Sequence, residues 1–407
     1  MNGAPPVQRL VLVGAGHAHA EVLRQWAAAP LPGVELVLVS PLALAPYSGM
    51  VPGWLAGHYG FESVCIDFAP LAAAAGARFV LGEVASLRAA DSHIVLTSGE
   101  RLNYSRLSLN VGSTLHPPPA LAQRPGVRVL SLRPLGELRR AWEALQAELQ
   151  ADGAARSARP LSVTAVGGGA AGVEALLAVL SRLRARQPQR AICGRLVNRA
   201  PELLPGLARG AAQALHRALT LADVAVHLGR AFDAAALDDA EGTQEHLLLW
   251  ATGAEAHAWQ AASGLAVSAA GFFRIAPTLQ STSHPAVFAV GDCAEWQPPL
   301  PKAGVFAVRQ GPVLAHNLRA ALQGAALQTY EPQRQALALL ALGDGRAVAA
   351  RGPWSAHDRW LGPGFGRALW RWKDRIDQRF LRRYRLVSTA GPVAARPSST
   401  MTERARR

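Results

Sequence analysis

Three closely spaced glycines follow an apolar segment in the middle of the chain. Gly167, Gly169 and Gly172 stand between a continuous apolar run at residues 161–166 and a helix-like stretch at residues 173–186. Free backbone N–H groups at a helix N-terminus attract negative charge, and glycine lets a pyrophosphate approach the backbone closely. In this strand–turn–helix context the Gly-x-Gly-x-x-Gly spacing is a specific signal. It predicts a dinucleotide-binding β-α-β unit rather than an ordinary tight turn.

A second and weaker copy of this pattern lies near the N-terminus. Gly14 and Gly16 follow the apolar run 9–13, but His19 stands where the third glycine is expected. The flanking residues still predict a buried strand and a helix, so we expect another β-α-β unit. His17 and His19 lie on the first turn of its helix, where they could contact a cofactor or pack against the protein. No set of residues has metal-ligand spacing, and no metal site is expected.

Neither unit carries the acidic residue that usually binds a ribose hydroxyl at the end of the second strand. Ser40 takes this place in the first unit, and Asn198 and Arg199 take it in the second. The Asn-Arg pair could accept a 2′-phosphate, which would favour NADPH over NADH. The alternative is that Arg199 is one more surface arginine in an arginine-rich chain.

The composition is typical of a globular protein with two or three domains. The chain has 407 residues, of which 50% are hydrophobic and 17% are charged, so it can bury large cores. Cys65, Cys193 and Cys293 are the only cysteines, and no two of them form a close pair. This spacing argues against a disulfide framework, a structural zinc site and a redox-active dithiol.

The net charge of +14 is concentrated at the C-terminal end of the chain. Residues 351–407 hold 14 basic and 4 acidic residues, a net of +10, which leaves +4 for the first 350 residues. We therefore do not expect nucleic-acid binding. No apolar run reaches about 18 residues, so no spanning helix is predicted, and the N-terminal apolar run is too short for a secretion signal. The expected location is cytoplasmic.

Five motifs, taken in order, carry a resemblance to a known family. They are the two glycine turns and the segments Asn110-Val-Gly112, Ala251-Thr-Gly253 and Gly291-Asp292. Together they resemble the flavoprotein pyridine-nucleotide oxidoreductases, over the chain up to about residue 322. Within that superfamily the chain is similar to type II NADH dehydrogenases and sulfide:quinone oxidoreductases. It resembles most the flavoprotein domain fused ahead of selenide, water dikinase, through the segments at residues 16–19, 46–50 and 301–304.

This resemblance implies an α/β fold with two Rossmann-like dinucleotide-binding domains, arranged as in glutathione reductase. Residues 1–120 and 252–325 would bind FAD, and the inserted residues 121–251 would bind NAD(P)H. Residues 326–407 would form a small C-terminal region.

The resemblance also implies roles for individual residues. Asp292 would hydrogen-bond the flavin's ribityl chain, while Lys302 and the helix starting at Ala303 and Gly304 would stabilise the reduced flavin. Glu174 would lie near the nicotinamide and could relay protons. A solvated loop lysine and a surface glutamate are the corresponding alternatives.

The residues that would meet the electron acceptor depart from the pattern of these families. In the type II dehydrogenases a glutamine-containing quinone segment follows the lysine, whereas Val305, Phe306, Arg309 and Gln310 stand here. The cysteines also do not match the pair that sulfide oxidation needs. We expect NAD(P)H to reduce FAD, which then reduces a second acceptor, with a membrane quinone favoured. A soluble reductase for a protein or a sulfur or selenium compound, and a non-catalytic nucleotide sensor, are the alternatives.

A helix is predicted near the C-terminus, with an apolar stripe and a cationic remainder. The stripe consists of Leu369, Trp372, Ile376, Phe380, Tyr384 and Val387. The other faces between residues 367 and 385 carry mainly arginines together with Lys373. Such a helix could lie in an anionic membrane interface, with Trp360 and Trp370 as further anchors, which would place the protein peripherally on the inner membrane. The stripe could equally pack on its own domain or on a second subunit of a homodimer.

Overall fold

A computed structural model describes residues 8–151, 159–237, 244–358, 362 and 364–385. Its strands in chain order are β1 (Gln8–Val13), β2 (Val34–Ser40), β3 (Leu44–Pro46), β4 (Cys65–Asp67), β5 (Arg78–Leu81), β6 (Val84–Arg88), β7 (His93–Leu96), β8 (Arg101–Asn103), β9 (Arg106–Leu109), β10 (Val127–Ser131), β11 (Leu161–Val166), β12 (Ile192–Asn198), β13 (Val224–Leu228), β14 (Glu245–Trp250), β15 (Phe273–Arg274), β16 (Val287–Ala289), β17 (Ala294–Glu295), β18 (Ala338–Ala341), β19 (Ala347–Arg351) and β20 (Trp354–Ala356).

The α-helices in chain order are α1 (His17–Ala28), α2 (Val51–Leu55), α3 (Phe68–Ala74), α4 (Pro119–Ala122), α5 (Leu135–Ala151), α6 (Ala170–Arg186), α7 (Arg209–Leu221), α8 (Ala258–Ala261), α9 (Gly304–Gln323) and α10 (Phe365–Arg382). Short 3₁₀ turns lie at Ser48–Met50, Glu62–Val64, Ala234–Leu237 and Gly291–Cys293.

The first large sheet has the strand order β16-β9-β1-β2-β5, and all neighbouring strands are parallel. Leu10, Leu12 and Leu38 are fully buried, as expected for strands covered on both faces. Helices α1 and α9 pack closely together, and a Cβ added at Gly311 would lie 2.9 Å from the Cβ of Glu21. The N-termini of these two helices therefore begin at the same edge of the sheet.

The second large sheet has the order β10-β14-β11-β12-β13 and is also wholly parallel. Helix α6 follows β11 and buries Val173, Leu176 and Leu180 against the sheet. Because β16 returns to the first sheet after the whole second sheet has formed, the second unit is inserted in the first. The predicted α/β class with two Rossmann-like units is confirmed.

A small antiparallel sheet of β18, β19 and β20 follows these two units, and α10 packs on it. Glycine permits the sheet to approach the second unit, since a Cβ at Gly343 would lie 2.5 Å from the carbonyl oxygen of Leu177 on α6. Within the described residues, no helix has the length and apolarity needed to cross a membrane.

The predicted apolar stripe of α10 is wrong in part. Leu369, Phe380 and Tyr384 are buried, but Trp372 and Ile376 remain about two-fifths exposed, at 41% and 40%. Trp360 and Val387 lie outside the described residues.

A buried ion pair explains why the stripe is displaced. Lys373, which the sequence placed on the cationic face, is 6% exposed, and its Nζ lies 2.6 Å from Oδ2 of Asp377, which is also 6% exposed. At 3.6 residues per turn, including this pair rotates the buried face by about 60° from the predicted stripe. Because each charge neutralises the other, the two polar residues can face the interior.

Candidate functional site

Asn110, at the end of β9, determines the geometry of the first glycine turn. A Cβ at Gly14 would lie 2.4 Å from the carbonyl oxygen of Asn110, and one at Gly16 would lie 2.1 Å from its Oδ1. Oδ1 accepts a hydrogen bond from the backbone N–H of Ala18 at 3.1 Å, and Nδ2 donates to the carbonyl of Val290 at 3.0 Å. Both glycines are therefore required by packing within the protein, in addition to any approach of a ligand.

His19 has a structural role. Its ring is fully buried, with Nδ1 2.7 Å from the carbonyl oxygen of Gly14 and Nε2 2.8 Å from Oγ of Ser108. Since a carbonyl can only accept, Nδ1 carries the proton and Nε2 accepts from the Ser108 hydroxyl. Burial lowers the pKa of His19 to about 4, so the ring is neutral at pH 7. Both ring nitrogens are used within the protein, which favours the packing role for His19 over a contact with a cofactor.

His17 lies where several elements of the site converge. Its ring meets those of Tyr47 and Phe380 at centroid distances of 5.3 and 5.8 Å. Burial lowers its pKa to about 4, although the charge of Asp292 acts in the opposite direction. A Cβ at Gly304, the first residue of α9, would lie 3.8 Å from the His17 ring. A neutral His17 therefore stands between the N-terminal turns of α1 and α9.

The glycines of the second turn have two different roles. Gly167 has φ +118°, and a Cβ there would lie 2.2 Å from the carbonyl oxygen of Ala251. A Cβ at Gly172 would lie 2.2 Å from the carbonyl oxygen of Gly167, so both positions exclude a side chain for reasons of packing. Gly169 has no atom within 4 Å of its Cβ position. The open space above Gly169 is where a ligand could approach the N-terminus of α6, which has no side-chain cap.

Ser40 and Asn198 use their side chains within the protein. The hydroxyl of Ser40 donates to the carbonyl of Leu42 at 2.8 Å. Asn198 Oδ1 accepts from the backbone N–H of Gly168 at 3.1 Å, and its Nδ2 donates to the carbonyls of Ala200 and Glu202. Asn198 thus fastens the loop after β12 to the glycine turn, while the Arg199 that follows it is exposed.

Arg133 is a site residue that the sequence did not reveal. Its guanidinium Nη1 donates both to Oδ2 of Asp292 and to Oγ of Ser113, and Nη2 lies 3.4 Å from the carbonyl oxygen of Lys302. Arg133 follows β10 of the second sheet, whereas the other three groups belong to segments around the first. It therefore fixes Asp292 from across the junction between the units. One arginine among many carries no signal in the sequence.

Lys302 lies beside Asp292 but directs its ammonium group into the protein. Nζ donates to the carbonyl of Ala294 at 2.6 Å and stands 3.7 Å from the centre of the Phe272 ring. Burial lowers the pKa of Lys302 below its ordinary value. It therefore contributes a positive charge close to Asp292 and the start of α9.

The predicted residues at the start of α9 lie in different environments. Ala303 is the N-terminal cap, in an extended conformation and without a side-chain hydrogen bond. Gln310 is 3% exposed, and its Oε1 accepts from the backbone N–H of Gly291 at 2.7 Å, so this side chain holds the turn before Asp292. Arg309 is exposed, while Val305 and Phe306 are half-buried.

The remaining predicted glycines also differ. Gly112 and Gly253 have no atom within 4 Å of their Cβ positions, which leaves open space beside the ends of β9 and β14. A Cβ at Gly291 would lie 2.8 Å from Nδ2 of Asn110. Gly291 is thus the third glycine whose size is set by Asn110.

Glu174 connects the second unit to the C-terminal elements. It lies on the first turns of α6, and its Oε1 accepts from the backbone N–H of Ala341 in β18 at 2.7 Å. Burial raises its pKa to about 7, opposed by the charge of Lys373 and reinforced by that of Asp377. Lys373 also donates to the carbonyl of Gly49, and Asp377 accepts from the hydroxyl of Tyr47. The pair Lys373–Asp377 therefore lies between the first turn of α6 and the 47–50 segment of the first unit.

A family model for the pyridine nucleotide-disulphide oxidoreductases matches residues 8–320. The chain belongs to this family. Its members' cofactors, FAD and NAD(P)H, are the cofactors of this flavoprotein oxidoreductase. The open position above Gly169 and the N-termini of α1 and α6, whose cap residues Gly16 and Gly169 have no side chain, fit two diphosphates.

Several solved structures share the fold of this chain at low sequence identity. The sulfide:quinone oxidoreductase of Aquifex aeolicus is similar with a TM-score of 0.71 at 16% identity, covering 93% of this chain and 91% of that one. NDH2 of Plasmodium falciparum in complex with NADH also gives 0.71, at 12% identity and 93% and 97% coverage. The NADH-bound, water-forming NADH oxidase of Lactobacillus brevis gives 0.64, at 17% identity and 84% and 75% coverage.

The cysteines of this oxidoreductase lie apart from one another in different settings. Cys65 and Cys293 are buried, and burial raises the pKa of their thiols to about 12 and about 11. Cys193 is exposed on β12. No group of three or more His, Cys, Asp or Glu side chains able to hold a metal occurs among the described residues.

We predict that Gly169→Ala weakens NAD(P)H binding by at least about tenfold, equal to about 1.4 kcal/mol, because the methyl group enters the space left for the diphosphate. The loss of stability should stay within about 1 kcal/mol, since no protein atom is displaced. Titration of the coenzyme against the flavin-loaded protein measures the affinity. As a control, Gly172→Ala must displace the carbonyl of Gly167 and should instead lower stability. Unchanged coenzyme affinity in Gly169→Ala would show that this turn is not part of the coenzyme-binding site.

We predict that Glu174→Gln becomes more stabilising as pH rises from 5 to 8. The folded protein keeps a proton on Glu174 up to about pH 7, whereas the unfolded chain releases it near the ordinary value of 4.5. The free energy of unfolding of the protein with Glu174 therefore falls by about 1 to 3 kcal/mol as pH rises through this window. That of the Glu174→Gln variant does not, because glutamine does not titrate. Urea unfolding of both proteins at pH 5 and 8 gives the difference. An equal difference at both pH values would contradict the raised pKa.

Proposed function

We propose that this flavoprotein takes a hydride from NAD(P)H onto FAD and passes the electrons to a second acceptor. The observation that carries the proposal is the buried Lys373–Asp377 pair, which lies between Glu174 at the start of α6 and the Tyr47–Gly49 segment of the first unit. A nicotinamide bound at α6 and a flavin bound at α1 would thus be directed toward one shared space. Residues 1–120 and 252–325 would form the FAD domain, and residues 121–251 the NAD(P)H domain.

The side chains around this space have separate proposed roles toward the flavin. Asp292, held by Arg133, would accept hydrogen bonds from the flavin's polyol chain. Lys302 and the N-terminal end of α9, at Ala303 and Gly304, would supply positive potential where negative charge develops during reduction. Bound FAD supplies the redox chemistry itself. His17, which is neutral, and the rings packed against it would exclude water.

Glu174 is the proposed proton-handling group. A carboxyl with a pKa of about 7 can both hold and release a proton near neutral pH, which suits a general acid and base. Its position on the first turns of α6 would place it at the nicotinamide end of the shared space. The neighbouring charges of Lys373 and Asp377 bias its protonation in opposite directions.

A membrane quinone is the proposed acceptor. Trp354, Trp372 and Ile376 are 52%, 41% and 40% exposed, and the exposed arginines 371, 375 and 379 lie on the same helix, α10, as Trp372 and Ile376. Exposed indoles beside arginines suit peripheral contact with an anionic membrane surface. A soluble reductase is the second candidate, favoured by the burial of Leu369, Phe380 and Tyr384 on the chain's own core.

We predict that the electrons reach the flavin without a thiol step. A variant with Cys193→Ser, Cys65→Ala and Cys293→Ala should be yellow and should be bleached anaerobically by NAD(P)H at the rate of the unmodified protein, because the three sulfurs lie in separate settings. Stopped-flow absorbance measures the rate. Mixing the reduced protein with a short-chain quinone, a polysulfide or a disulfide then identifies the acceptor. A folded, flavin-loaded variant that is no longer bleached would overturn the thiol-free path.

We predict that the double change Trp372→Ser and Ile376→Ser lowers binding to vesicles containing phosphatidylglycerol. The remaining binding should weaken with salt, since each basic residue near an anionic surface contributes about 1 kcal/mol. Co-sedimentation with vesicles measures the bound fraction. Leu221→Ser is the control, because Leu221 is 80% exposed and lies on a different helix, α7. Equal sedimentation of the double variant and the control would favour the soluble reductase.

A further inference from the structure

His17 has ring nitrogens that the protein does not use. No other described residue forms a hydrogen bond with either nitrogen, and the residue is half-buried. The neighbouring His19 differs, because Gly14 and Ser108 occupy both of its ring nitrogens. A neutral imidazole has one N–H donor and one nitrogen with a lone pair. The lone pair of His17 is therefore free to accept a proton, whereas that of His19 already accepts a hydrogen bond.

The surroundings of His17 oppose a positive charge on its ring. His17 is the first residue of α1, and a Cβ at Gly304, the first residue of α9, would lie 3.8 Å from Cε1 and 3.9 Å from Nδ1 of the ring. Helix N-termini carry partial positive charge, so two of them disfavour an imidazolium between them. Burial acts in the same direction and lowers the pKa of His17 to about 4. The ring is therefore neutral at pH 7 until a negative charge is placed beside it.

The charged and titratable side chains on the elements packed against His17 have partners of their own. They are Asp292 with Arg133, Lys302 with the carbonyl of Ala294, Asp377 with Lys373, Tyr47 with Asp377, and Tyr384 with Glu21. The charge of Asp292 acts on the ring of His17 and favours a proton there. Because the other groups are already paired, His17 is the member of this set that can respond to a new negative charge.

We propose that His17 takes up a proton from solvent when the bound flavin is reduced and releases it when the flavin is oxidised again. The N-terminal turn of α1, Asp292 and the start of α9 are the elements that would hold the flavin, and all three border His17. An opposite charge close to a histidine raises its pKa and can outweigh burial and the helix ends.

The step balances in electrons and protons. A hydride equivalent brings two electrons and one proton to the flavin, which leaves the reduced cofactor with one more negative charge than the oxidised one. The second proton forms an N–H bond at the free nitrogen of His17, so two electrons and two protons are taken up together. Neither the electron donor nor the acceptor enters this step. The inference therefore goes beyond the proposed function, in which Glu174 serves the nicotinamide end of the site.

The test is the pH dependence of the flavin's midpoint potential, measured anaerobically between pH 6 and 8 on the flavin-loaded protein with reference dyes. Each proton taken up with two electrons lowers the potential by about 30 mV per pH unit, because a tenfold change in a two-electron equilibrium has this value. The unmodified protein should therefore show a fall of about 60 mV per pH unit. His17→Gln and His17→Phe cannot titrate, so each should show about 30 mV per pH unit. His17→Phe also keeps a ring against Tyr47 and Phe380.

His216→Gln is the control, because His216 is an exposed histidine on α7 of the second unit, and its pH dependence should equal that of the unmodified protein. The smaller dependence in the unmodified protein would by itself overturn the inference. The larger dependence in both His17 variants would also overturn it, since the second proton would then bind elsewhere. Dyes replace NAD(P)H in this measurement. If neither coenzyme reduces the flavin, the proposed function fails, while the potentials still decide the role of His17.

Discussion

The two side-chain hydrogen bonds of Asn110 hold the first cofactor unit together. They join the N-terminal turn of α1 to the end of β16, although the two partners, Ala18 and Val290, lie far apart in the chain. The side chain fills the space at the carboxyl edge of the sheet so closely that Gly16 and Gly291 cannot carry a Cβ, and the backbone carbonyl of Asn110 excludes one at Gly14. The start of α1, where a diphosphate would be bound, is thus positioned by a buried amide. A carboxylate or an apolar residue at this position would leave a backbone group without its partner.

In the second unit, the glycine turn is held by different contacts from those of the first. Its turn is closed by backbone contacts among Gly167, Gly172 and Ala251, which leaves Gly169 free to face a ligand. In the first unit the third position of the motif is occupied by His19, whose neutral ring binds Gly14 and Ser108 from within the protein. One motif therefore contains residues with different tasks, and only the space around each of them shows which residue faces the cofactor.

Much of the fold could be predicted from the sequence, because parallel strands buried on both faces give continuous apolar runs, such as residues 9–13 and 161–166. The role of Arg133 could not, since its partners Asp292 and Ser113 come from distant segments and one arginine resembles another. The stripe of α10 was misplaced because periodicity treats lysine and aspartate as exposed, whereas Lys373 and Asp377 neutralise each other in the interior. The roles of Asn198 and Gln310 depended on hydrogen bonds to backbone groups, which leave no mark on residue spacing.

Direct transfer of hydride from the second unit's coenzyme to the first unit's flavin is the central step of the proposed function. This transfer can be measured by anaerobic reduction of the flavin-loaded protein with NAD(P)H carrying deuterium at the transferred position of nicotinamide C4. Breaking that carbon–hydrogen bond in the transfer step predicts a primary isotope effect, seen as slower bleaching of the flavin with the deuterated coenzyme. Flavin that stays oxidised in the presence of either coenzyme, although both bind, would contradict the account.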